Sequence, residues 1–88
     1  MILQIDKTKD VPEGNPTVLK SDFIDNVSRT THTDRGVKLF LVDGTVLTLE
    51  RDMGNRIALY NYLDDYEGYT ICQAWILNDT GKTLKKVF

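Results

Sequence analysis

The sequence predicts a mixed α+β fold, an antiparallel sheet of about five to six strands with one main helix packed on it. Three observations predict it. Asp43-Gly44 separates two β-rich runs, Val37 to Val42 and Thr45 to Glu50. Leu59, Leu63 and Tyr66 follow at i, i+4 and i+7, the spacing of an amphipathic helix. Tyr69 to Leu77 and Thr83 to Phe88 flank Asp79-Thr80-Gly81 as a second hairpin. The resulting order is strand, strand, hairpin, helix, hairpin.

Taken in order, Ile2 to Ile5 reads as a short strand that ends in the polar run Asp6 to Asp10. Pro12, Gly14 and Pro16 then mark a flexible loop over 7–16, because proline cannot donate to a ladder. The stretch 17–31 favours a strand through its β-branched residues, with Ser21 as the alternative cap of a short helix. Thr33 to Gly36 reads as a turn.

A two-residue turn at Asp43-Gly44 sets Phe40 opposite Leu47 and Leu39 opposite Thr48. Phe40, Val42, Leu47 and Leu49 then share one face, and Val37, Leu39, Leu41 and Val46 the other. Both faces are apolar in that register, which predicts a hairpin covered on both sides. The helix is expected from Gly54 or Asn55 to Tyr66, with Asp52 or Asn55 capping its start and Gly68 after its end.

Length and composition bound the function. Eighty-eight residues make a single domain, and a formal net charge of −2 lacks the basic excess of a dedicated nucleic-acid binder. Direct nucleic-acid binding is therefore not expected. The first residues turn polar too soon for a signal peptide, and no apolar run reaches a membrane span. The expected location is the cytoplasm, that of a host if the chain is phage-encoded. Cys72 is the only cysteine, so no internal disulfide forms, and its neighbours suggest a buried thiol acting as a small hydrophobe.

The residues of most catalytic sets are absent. His32 is the only histidine and sits among Thr, Asp and Arg, the setting of an exposed turn residue. The glycines are scattered and form no phosphate-binding loop. No metal site and no cofactor are expected, and no enzyme activity. Lys82, Lys85 and Lys86 read as a basic guard on an edge strand.

One cluster stands out. Asp64, Asp65 and Glu67 fall at the C-terminal end of the expected helix, where its dipole disfavours acids. Tyr60, Tyr62, Tyr66 and Tyr69 surround them, with Trp75 on the next strand. Tyr and Trp are favoured interface anchors. The expectation is a non-enzymatic protein-binding module that occludes a larger partner, through a basic surface of that partner. Size and style associate such chains with phage-encoded inhibitors of host enzymes or defence systems. The alternatives are a small-ligand or nucleotide-binding homodimer and a structural subunit of a larger assembly.

Overall fold

A computed structural model describes residues 1–9, 20–62 and 69–88. They form eight strands in one antiparallel sheet: β1 (Ile2–Lys9), β2 (Lys20–Ile24), β3 (Val27–His32), β4 (Gly36–Leu41), β5 (Val46–Arg51), β6 (Ile57–Tyr60), β7 (Tyr69–Leu77) and β8 (Thr83–Lys86). The fold is all-β, with no helix among the described residues, and this corrects the α+β expectation.

The strand order is β2-β1-β7-β6-β5-β4-β3, with β8 also on β7. Its two ends, β2 and β3, are consecutive in sequence, separated only by Asp25 and Asn26. Asn26 takes a left-handed φ of 63°, a conformation that Asn adopts more readily than most residues. The kink lets one stretch of chain pair with β1 and then with β4. Met1 N donates to Val27 O at 2.7 Å and Val27 N to Met1 O at 3.0 Å, and the sheet closes into a barrel. Ser21 is therefore a strand residue, its hydroxyl bound to Asp6 Oδ1 rather than to a helix end.

Three hairpins share one closure. Leu41 N bonds Thr45 O at 2.8 Å, Asp52 N bonds Arg56 O at 2.8 Å and Asn78 N bonds Lys82 O at 2.8 Å. Each loop holds three residues, and the third is left-handed: Gly44 (φ 91°), Asn55 (φ 61°) and Gly81 (φ 87°). The loop at Asp43-Gly44 is thus one residue longer than the sequence suggested, and the register moves with it. Leu39 pairs with Leu47 and Val37 with Leu49. Those four fill the barrel, each at most 1% exposed, while Lys38, Phe40, Val46 and Thr48 face outward. A slip of one residue exchanges the two faces of a strand, so the hairpin has one core face and not two.

The same closure overturns the helix. Asp52 Oδ1 accepts from Arg56 N at 2.9 Å, a capping contact, but it caps a turn. Ile57–Tyr60 then pairs with β5, setting Leu59 against Leu49 and Tyr60 against Thr48. β1 is also longer than expected, with Lys7 and Thr8 buried inside the strand. The remainder of the expected loop, 10–16, lies outside the described residues, as do Leu63 and Gly68 of the expected helix.

A bulge on β7 keeps its inward face apolar. Asp6 opposes Gln73 and Lys7 opposes Ile71, leaving Cys72 as the extra residue. Ile71, Ala74 and Ile76 consequently all point to the core. On the neighbouring side, a Cβ on Gly36 would stand 2.0 Å from the Leu49 carbonyl oxygen. Gly36→Ala is expected to destabilise the fold by about 2 kcal/mol or more, since strand backbone must move. Gly44→Ala, strained only in φ, should cost about 1 kcal/mol. Urea midpoints of the two variants at an unchanged m value check the order.

Candidate functional site

The outward rows of β3 to β6 form the candidate interface. Cross-strand pairing aligns Thr31, Lys38, Thr48 and Tyr60 in one row. Arg29, Phe40 and Val46 align in the row beside it. The first row crosses three strand spacings, about 14 Å. The Arg29 Cζ lies 3.8 Å from the Phe40 ring centroid, a stacked cation–π pair. Tyr60 is 46% exposed and Tyr62, just beyond the strand, 37% exposed. Asn61 binds Val46 O through its side-chain amide at 3.1 Å and fixes the end of β6 at the rim of this face. The two rows carry two cations, three apolar or aromatic side chains and no carboxylate.

Among the residues singled out in the sequence, Tyr60 therefore falls at this face, and the exposed Tyr62 follows it just past the end of β6. Tyr69 does not. It follows the inward series of β7, with Lys9 Nζ 5.7 Å from its ring centroid. Trp75 lies on another outer face, between Gln4 of β1 and Lys86 of β8, whose Nζ is 5.8 Å from the indole. β6 meets β7 at Ile57 opposite Ile71, and Tyr60 and Trp75 extend from that rung in opposite directions. Seven residues of strand separate them, about 23 Å. Asp64, Asp65, Tyr66 and Glu67 lie outside the described residues. Sequence reading missed Arg29, Lys38 and Phe40. The available signal was the third loop residue, which turns Phe40 outward.

Other chemistry-bearing groups are tied into the fold. His32 is exposed at the end of β3, with Lys85 Nζ 3.1 Å from its Nδ1. The Cys72 thiol is half-buried and sits 3.4 Å from Asp6 O. Burial, followed by the nearby Asp6 charge, pushes its pKa up, so it stays a thiol at neutral pH. Inside the barrel wall, Lys7 is 1% exposed and ion-paired to Asp22. Asp6 accepts from Ser21 Oγ at 2.7 Å and Gln4 Nε2 at 3.1 Å. Among the described residues there is no group of three metal-ligating side chains and no helix long and apolar enough to cross a membrane.

No family model, curated protein or solved structure matches the chain. The domain is small and all-β rather than α+β, and neither its fold nor the comparisons carry evidence for an inhibitor or a phage protein. Size and style alone do not carry that association.

Two measurements follow from these contacts. Asp22→Asn is expected to cost about 2 kcal/mol because it removes a full charge facing a buried ammonium. Lys7→Met should cost less, since Asp22 is 19% exposed and reaches water. Thermal melts of the two variants give the ranking. Alkylation of Cys72 by iodoacetamide at neutral pH should run slower than that of free cysteine and accelerate as pH rises past the ordinary thiol range.

Proposed function

We propose that the protein is a non-enzymatic binding module that docks an acidic, aromatic-bearing segment of a protein partner on the outer face of β3 to β6. The observation that carries this reading is two adjacent outward rows, one holding Arg29 stacked on the half-buried Phe40 ring and the other holding Lys38 with the exposed Tyr60 two strands away, without a carboxylate among them. Such a face offers charge complementarity to an acidic segment and a flat apolar surface for its side chains. The rings come preoriented by the sheet, so little side-chain freedom is lost on docking.

A protein partner is favoured over a nucleic acid by the overall charge. Two exposed cations in these rows give a small phosphate footprint, and the chain as a whole is net negative. The absence of a disulfide, with one cysteine in the chain, supports action in a reducing compartment, the cytoplasm. An exposed histidine beside a lysine and a thiol held protonated support the non-enzymatic reading.

The test uses a fluorescent synthetic peptide of alternating Glu and Tyr, read by anisotropy against the native protein. Binding is expected to weaken with salt, and to fall about tenfold or more in Arg29→Glu/Lys38→Glu and in Tyr60→Ala. All three positions are exposed, so far-UV circular dichroism should be unchanged. Equal binding by the charge-reversed protein overturns the reading, as does tighter binding of a thymidine oligonucleotide than of the peptide.

A further inference from the structure

We propose that the seam between β6 and β7 is a binding site for a small amphiphilic anion, with an oxyanion head held by Arg51 and Arg56 and a flat apolar body on the floor of the seam. The site is separate from the outer face and shares no residue with it.

The seam exists because the barrel is unevenly stitched. β1 follows β7 from Tyr69 to Leu77, and β5 pairs with all four residues of β6. Between β6 and β7 the described residues show one rung, Ile57 opposite Ile71. The other half of that side of β7 is taken by β8 and by the tail, with Ala74 N donating to Phe88 O at 2.9 Å. Where the two strands part, a cleft of about 560 Å³ opens. That volume lies in the range of small-molecule sites.

Its chemistry is divided. The floor is apolar, made by buried Ile71 with half-buried Ile57 and Leu59, which rest on the core cluster. The rim at one end is cationic. Arg51 continues the inward series of Leu47 and Leu49 to the barrel mouth, where its Cζ lies 5.1 Å from the Phe88 ring centroid. One of its nitrogens donates to Asn55 O at 3.1 Å, and among the described residues the other donors of the fork have no hydrogen-bond partner, so they can meet an anion. Arg56 is exposed, and its guanidinium has no hydrogen-bond or ion-pair partner among the described residues.

Among the described residues lining the cleft, Asp52 carries the one carboxylate. Its Oδ1 accepts from Arg56 N, and the described rim, with Arg51, Arg56 and Asp52, sums to a charge of about +1. The Thr70 hydroxyl is turned to β1, 3.3 Å from Thr8 Oγ1, and keeps one wall polar without adding charge. A cation is repelled here and a purely apolar molecule leaves the arginines unused. A carboxylate or phosphate monoester on a flat ring satisfies both ends.

The experiment titrates the native protein with 1-naphthyl phosphate, 1-naphthoate, 1-naphthol and inorganic phosphate, followed by two-dimensional amide NMR. The two naphthyl anions are expected to shift the amides of Arg56, Ile57, Thr70 and Cys72, and their relative affinities tell a phosphate site from a carboxylate site. 1-Naphthol and inorganic phosphate should each bind at least about tenfold more weakly, since each satisfies one end of the cleft. Arg56→Gln should weaken both anions about fivefold or more while leaving the melting temperature unchanged. Naphthol binding as tightly as the anions, binding unaltered by Arg56→Gln, or shifts confined to residues outside the cleft would each overturn the proposal.

Discussion

Closure of the sheet is the constraint on which the rest of this protein depends. Without the kink at Asp25-Asn26, β2 and β3 would be two open ends, each with a row of unpaired amides and carbonyls. With it, the reciprocal bonds between Met1 and Val27 join the ends, and the inward faces of β1 to β7 meet inside one barrel, while β8 stays exposed on its outside. A chain of this length has little apolar area to bury, and a closed sheet encloses it without a helix to cover one side.

Closure also fixes which side of each strand can do anything else. Val37, Leu39, Leu47 and Leu49 are taken up by the interior. Their outward neighbours are released for contact with a partner, and the stacked Arg29 and Phe40 belong to that set. The mouth of the barrel is a different surface. There the inward series runs out of apolar residues, and Arg51 ends it with a charge lying against Phe88. The loose rung between β6 and β7 leaves that charge next to an apolar floor.

The repeated hairpin closure sets these faces. Two-residue and three-residue loops differ by one residue, and that difference decides whether Phe40 or Leu39 lies inside. The third position must be left-handed, which Gly44, Asn55 and Gly81 supply. Asp52 and Asn55 look like helix caps because a turn and a helix N-terminus ask the same thing of a side chain: an oxygen for a nearby amide.

The sequence by itself determined the local elements whose signals are short-range. The strand Tyr69–Leu77, the turn at Thr33 to Gly36, and the positions of the hairpins at Gly44 and Gly81 were all legible in β-branched runs and turn residues. The expected buried thiol at Cys72 was not borne out: a bulge leaves it half-buried and outside the core. What tertiary structure decided was every choice in which two local readings compete. Ile57–Tyr60 has a helix-like spacing at Leu59, but pairing with β5 satisfies its backbone and buries Leu59 against Leu49. The faces of the β4–β5 hairpin followed from one loop residue, and the separation of Tyr60 from Trp75 followed from strand direction. Local preferences are worth tenths of a kcal/mol per residue, whereas burying one leucine is worth about 2 kcal/mol, and burial chose the fold.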